Sequence, residues 1–301
     1  MRKESLECLE ELVFANDNIC IVGSDLGSDT FTKSRAAFPK RVLMEGIAEQ
    51  HLIGFAAGLA ANGFYPVVHT IATFLTRRCY EQIAIDLSQQ ELPALLLGAG
   101  GGMVYAPLGP THQSVDDFSL MSNIPGMKIF APADPDESKY ILRKCAEEKY
   151  LAYMRLGRGG EENITKSFES VEGFFVRKMG VKGKFTLVCT GTLLHEALEA
   201  VKTLSKKGIE GNLLHMPLVN EWASVEKLLR DELSEEIFII EEHIPTGGLF
   251  TQISSVIGKA ASVHHRSLPF GYSRNYGSQK DHWKSAGLVT DNLVGWIESL
   301  I

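Results

Sequence analysis

No stretch of the 301 residues stays apolar long enough to cross a bilayer. The most apolar helical candidate, residues 46–61, is interrupted by Glu49, Gln50 and His51. A basic run is also missing, as is the basic–aromatic alternation that grips a phosphate backbone. With a formal charge of −7, nucleic acid and anionic membranes are not expected partners. Cysteine is sparse: Cys8, Cys20, Cys79, Cys145 and Cys189 form an odd set without paired metal spacing. They read as small apolar fillers in a reducing compartment. There is no solenoid-period repeat and no low-complexity tract. Met1-Arg2-Lys3-Glu4 leads straight into an amphipathic pattern without an apolar signal core, so a cytoplasmic location is expected.

What is present is ordinary globular composition, 45% hydrophobic and 22% charged, with length for two cores. Strand-like runs at 18–24, 65–70, 92–97 and 128–131 alternate with helical patterns at 46–62, 74–89 and 136–148. Asp134 reads as the cap of the last helix, with Pro135 at its first position. Such alternation predicts an α/β fold with a parallel sheet covered on both faces. A polar stretch, 157–168, breaks the rhythm. A second α/β block follows, with strands at 184–190, 211–216 and 236–241 and helices at 194–207, 225–233 and 247–260. The expected organisation is a first domain over 1–165, a linker over 166–179 and a second domain over 180–301.

The most informative segment is 41–63, where Glu49 and Gln50 sit inside a small, apolar run. A carboxylate there must pair, stay protonated or face a cleft, because burying it uncompensated is costly. Capping the helix or meeting an arginine is the structural alternative. The glycine run 98–102 lacks both the Gly-Lys-Ser/Thr ending of a phosphate loop and dinucleotide spacing. It reads as a flexible turn below the mouth of a site.

GIAEQ (46–50) followed by GFAAGLAANG (54–63) resembles the signature of the pyrimidine-binding domain of transketolases and deoxyxylulose phosphate synthases. Gly23-Ser24-Asp25-Leu26, Thr73-Phe74-Leu75 with Tyr80, GPTHQ (109–113) and Pro132-Ala133-Asp134 resemble further family motifs in the family's order. Glu241-Glu242-His243 with Gly247-Gly248-Leu249 resembles the EEH…GGL of its C-terminal domain.

The resemblance implies thiamine diphosphate as cofactor. Glu49 would face N1′ of the aminopyrimidine and share a proton with it, an apolar surround favouring the protonated acid. Phe74 and Tyr80 would stack on or flank the ring. Arg77 fills the slot of a second aromatic, and Asp25 and Leu26 would border the cofactor. His112 would reach donor oxygens as hydrogen-bond donor or proton shuttle. Arg155 and Arg158 match the family's arginine for substrate phosphate or carboxylate.

Two features depart from the family pattern. No GDG motif occurs, so the half that holds the diphosphate through Mg²⁺ is expected on a second chain carrying GDG…N, in a heterotetramer. Leu108 stands where transketolases carry an acid before GPTHQ, and the glycine run stands where they carry a phosphate ligand. Ordinary pentose phosphates are therefore not the expected substrates. The implied reaction is two-carbon ketol transfer between sugars or sugar derivatives. The β subunit of an oxo-acid dehydrogenase, a synthase-like acyloin former and a non-catalytic partner subunit remain as alternatives.

Overall fold

The computed structural model describes residues 1–172, 176–220, 226, 231–257 and 262–301. Its first sheet contains β1 (Ile19–Gly23), β2 (Val42–Met44), β3 (Tyr65–Ile71), β4 (Ala94–Ala99), β5 (Lys128–Phe130) and β6 (Leu151–Leu156). The order is β2-β1-β3-β4-β6-β5 and every pairing is parallel. Strands β1 and β4 are buried at every residue, which is why they read as continuous apolar runs rather than alternating ones.

Alternate side chains of these strands feed two cores. On one face, α1 (Arg2–Ala15) and α6 (Pro135–Glu148) bury Leu9, Val13, Ile141 and Leu142 against Ile21, Val67 and Leu97. On the other, α3 (Glu49–Ala61) and α5 (Asp117–Ser122) bury Leu52, Ala56 and Phe118 against Val22, Val68 and Leu96. Two shorter helices, α2 (Thr32–Ala37) and α4 (Tyr80–Gln82), complete this half. Asp134 caps α6 as expected, accepting from the Glu137 N–H at 2.9 Å, and it also takes the Ile164 and Thr165 N–H groups.

The regular helix expected over 74–89 is corrected. Here α4 is flanked by π turns at Phe74–Arg78 and Ile83–Ser88. The reason lies in the buried positions Leu75, Cys79, Ile83 and Leu87, spaced by four. At roughly 3.6 residues per turn that series drifts about 40° per step around a helix. Wider π turns hold all four on the core.

The second sheet comprises β7 (Glu169–Glu172), β8 (Val176–Met179), β9 (Phe185–Cys189), β10 (Gly211–His215), β11 (Glu236–Ile240) and β12 (Ser262–Arg266), in the order β12-β11-β9-β10-β8-β7. Its β7 and β8 run antiparallel along one edge. The stretch 166–179, expected as a linker, thus contributes two strands: β8 finds an open ladder on β10, and its backbone groups are satisfied there. Helices α7 (Leu194–Lys206) and α10 (Thr290–Glu298) cover one face, α8 (Leu249–Ile257) covers the other, and α9 (Gln279–Ser285) lies near the join. The helix expected over 225–233, and the end of the one over 247–260, lie largely outside the described residues.

The two sheets are stitched together. Residues 217–219 lie along β5, with Ala131 N–H donating to Pro217 O at 2.8 Å and Val219 N–H to Ile129 O at 2.8 Å. Glu137 of α6 reaches across to His215 (2.7 Å) and Arg177 (2.6 Å).

His69 of β3 is fully buried. Its Nδ1 lies 3.4 Å from the Leu97 carbonyl, and its Nε2 has no hydrogen-bond partner among the described residues. Burial pushes this imidazole down from 6.5 to about 4. The neutral ring therefore contributes stability that is present above pH 6.5 and is lost as pH falls through about 4. Urea midpoints measured across that window should show the wild type losing about 3 kcal/mol to this group, while His69→Gln loses correspondingly less. Parallel curves for the two proteins would refute the assignment.

Candidate active site

Because its six strands run the same way, the first sheet has a single carboxyl rim, the edge at which open α/β sheets bind ligands. Asp25 and Leu26 follow β1, Glu49 opens α3 after β2, Phe74 follows β3, Gly100 follows β4 and Arg158 follows β6.

Glu49 is 3% exposed. Its carboxylate accepts from Arg78 Nη1 at 2.9 Å and from Thr70 Oγ1 at 3.3 Å. Of the outcomes the sequence left open, the structure shows pairing with an arginine rather than an unpaired carboxyl in an apolar surround. The Arg78 guanidinium lies 4.3 Å above the Phe74 ring. Phe74 in turn meets His112 edge-on, with ring centroids 5.1 Å apart. His112 stands on the short 3₁₀ turn Pro110–His112, half-buried, with Nδ1 2.9 Å from Thr111 Oγ1. Glu49, Arg78, Phe74 and His112 thus form one contiguous row: acid, cation, aromatic face, imidazole.

The other expected residues divide. Arg77 does not reach Glu49. Its Nε and Nη2 grip Asp116 at 2.8–3.2 Å and its Nη1 donates to Thr73 Oγ1. Tyr80 is half-buried and packs against the core that α3 covers. Asp25 is exposed and Leu26 half-buried on the rim beside β3. Leu108 is 55% exposed, and Arg158 is exposed beyond β6.

Arg155, expected to meet substrate, is instead 8% exposed, with its guanidinium used internally. Nε donates to Asp117 Oδ2 at 2.8 Å, Nη2 pairs with Asp117 Oδ1, and Nη1 donates to the Glu242 carbonyl at 2.9 Å. A buried cation at the join of two sheets is tolerated only with such pairing. Burial by itself would push the Asp117 carboxyl up, but Arg155 and the Tyr153 hydroxyl outweigh it and hold the group below the usual carboxylate range.

The glycine run is corrected as well. Gly100, Gly101 and Gly102 are buried. A Cβ at Gly102, where φ is 64°, would collide with the Glu242 carboxyl. That carboxyl accepts from Met103 N–H at 2.9 Å and from Gln279 Nε2 at 2.9 Å. Burial pushes it up, Arg155 opposing. The turn is a packed cradle rather than a flexible one. Glu241, its neighbour, accepts the Leu249 N–H at 2.7 Å and so anchors the start of α8.

Arg78, Thr70 and Asp117 were not singled out by the sequence. A doubled arginine in the TFLTRRCY segment, beyond the helix that Glu49 opens and the strand after it, was the available signal for Arg78.

Comparison with known proteins identifies the family. Residues 1–160 match the family model of the transketolase pyrimidine-binding domain, and residues 178–287 that of the transketolase C-terminal domain. The chain is 32% identical over 270 residues to one of the subunits of the apulose-4-phosphate transketolase of Actinobacillus succinogenes, covering 87% of this chain and 86% of that one. It is 32% identical over 239 residues to 1-deoxy-D-xylulose-5-phosphate synthase of Anaeromyxobacter sp. (strain K), covering 77% of this chain but only 37% of the synthase. A solved chain described as a split gene transketolase, inactive beta4 tetramer, superposes with a TM-score of 0.82 at 29% identity, covering 99% of this chain and 96% of that one. The chain belongs to the transketolase family.

Removing Asp117 leaves Arg155 charged and uncompensated. Asp117→Ala should lower stability by about 3–5 kcal/mol in urea unfolding, and the double variant Asp117→Ala/Arg155→Met should recover part of it. A loss below about 1 kcal/mol would show that the pair is not buried as described.

Proposed function

We propose that this chain is the pyrimidine-binding subunit of a two-chain, thiamine diphosphate-dependent transketolase that moves a two-carbon ketol unit between sugars or sugar derivatives. The observation that carries the reading is the nearly buried Glu49 carboxylate on the sheet rim, within reach of the same cation that lies on the Phe74 ring. An aminopyrimidine needs a carboxyl group for its ring nitrogen and an aromatic surface for its face. A flat cation with N–H donors already sits on both, which supports the fit.

In this reading Glu49 holds a proton at N1′ of the pyrimidine. Phe74 orients the ring and keeps water from its face. His112, on its loop across Phe74, donates a hydrogen bond to donor oxygens or moves a proton there. Arg158 is the exposed candidate for a terminal phosphate or carboxylate. Arg77, Tyr80, Asp25 and Leu26 shape the border. The cofactor, when bound, supplies the electron sink that ketol transfer requires.

The diphosphate and its Mg²⁺ are assigned to a second chain carrying GDG…N, in a heterotetramer. Magnesium prefers oxygen ligands together with phosphate, and the GDG motif that the family uses to supply them does not occur in this sequence. The split-gene relative supports this partnership, since its single-subunit tetramer is described as inactive. The relative named for apulose-4-phosphate supports a donor outside the ordinary pentose phosphates. The cysteine pattern supports a cytoplasmic location for the complex.

The test is reconstitution with the diphosphate-binding chain, followed by exchange of the cofactor's C2 proton. Glu49→Gln should assemble normally and exchange slower by a factor on the order of 10². Unchanged exchange in the assembled complex would make Glu49 structural. Micromolar binding and normal turnover by the isolated chain would defeat the two-chain reading.

Donor choice is separately testable. Leu108 offers no hydrogen bond, so Leu108→Asp should shift preference toward hydroxylated ketose phosphates by roughly 1–3 kcal/mol. A donor panel on both reconstituted proteins checks this. Efficient use of xylulose 5-phosphate by the wild type would count against it.

A further inference from the structure

Resting on the proposed function, we infer that Arg78 is an internal stand-in for the cofactor's pyrimidine, holding Glu49 and Phe74 until the cofactor displaces it. Binding is then an exchange of ligands on Glu49 rather than entry into a preformed slot.

Three observations carry this. Arg78 uses both surfaces that a pyrimidine would need: its Nη1 donates to Glu49 Oε2 at 2.9 Å, and its guanidinium carbon lies 4.3 Å over the Phe74 ring. A planar group with N–H donors, lying over an aromatic ring and bonded to a carboxylate, presents much the same chemistry as a protonated aminopyrimidine. The π turn Phe74–Arg78 sends consecutive arginines to different acids, Arg77 to Asp116 and Arg78 to Glu49. Arg77 is locked by a bidentate grip plus Thr73, whereas among the described residues Arg78 makes one carboxylate hydrogen bond. The Arg78 side chain is also 44% exposed while Glu49 is 3% exposed. Arg78 can therefore swing into water without unfolding anything, but Glu49 cannot follow it. Left alone, Glu49 would retain, among the described residues, the Thr70 hydroxyl as a long contact at 3.3 Å, and a buried carboxylate so poorly matched is costly. Arg78 keeps the subunit stable before the cofactor arrives and competes with the cofactor afterwards.

Calorimetric titration of thiamine diphosphate, with Mg²⁺ present, into the reconstituted two-chain complex tests this without relying on turnover. Arg78→Ala should bind the cofactor about tenfold more tightly than wild type, because one charge-assisted bond and one stacking contact no longer have to be broken. Arg78→Lys keeps a charge for Glu49 but cannot lie flat on Phe74, and should fall between the two. The thermal midpoint of the reconstituted complex without cofactor should drop in Arg78→Ala, and saturating cofactor with Mg²⁺ should raise it by more than in wild type. A side chain with a purely structural role would weaken binding on removal. Equal or weaker affinity in Arg78→Ala therefore overturns this inference while leaving the proposed function standing. If Arg78→Ala fails to assemble, the lysine variant decides by the same criterion. Absence of binding by wild type and variants alike overturns the proposed function itself and this inference with it.

Discussion

Taking the Arg155 guanidinium out of water at the end of β6 carries a desolvation cost that only close pairing offsets, and the structure around the rim follows from how the pairing is made. Asp117 meets it from the first turn of α5, so the start of that helix is fixed beneath the rim. The Glu242 carbonyl meets it from the second sheet, so the loop after β11 is fixed too. With its backbone held, Glu242 turns its carboxyl onto the Met103 N–H and closes against Gly102, which leaves no room for a side chain there. The loop that continues to His112 therefore leaves a rigid turn. Moving one guanidinium would loosen two sheets, a helix start and the catalytic candidate loop together.

The same rule operates on a smaller scale at Glu49. Here too a carboxylate with little access to water is matched by a guanidinium, but the partner stands partly in solvent. The difference in exposure separates the two pairs by purpose. Asp117–Arg155 is almost wholly buried and behaves as part of the scaffold. Glu49–Arg78 is open on one side, and an exchangeable partner is what a ligand site requires. Both pairs sit at carboxyl ends of parallel strands, where strand direction converges loops that are distant in sequence.

Much of the fold was legible because strands such as β1 and β4 are apolar throughout and because Asp134 marks the start of α6. The antiparallel edge formed by β7 and β8 was not legible. Its residues are polar enough to read as linker, and only the open edge of β10 makes strands of them. The π turns around α4 were hidden for a related reason: a series of apolar residues spaced by four looks like a helix, and only packing against a flat sheet decides how wide the turns must be. Among site residues, the motif order placed Glu49, Phe74 and His112 on one rim. It placed Arg155 there as well, without revealing that Asp117 and Glu242 would consume its hydrogen bonds.

Taken by itself, the sequence determined which residue types stand at the strand ends, since alternation of strand and helix leaves short loops there and the acid, aromatic and imidazole fall in those loops. It also determined that Glu49 would have to pair, stay protonated or face a cleft, because burying a lone carboxylate in an apolar run is costly. What only the tertiary structure decided was which arginine serves which acid. Arg77, Arg78 and Arg155 are chemically identical in the chain. Burial depth, the rotation imposed by a π turn and the approach of a second sheet separate them into a bidentate partner of Asp116, a half-exposed partner of Glu49 and a buried tie to Asp117, because the strength of an ion pair depends on the geometry and water around it rather than on the residue's identity.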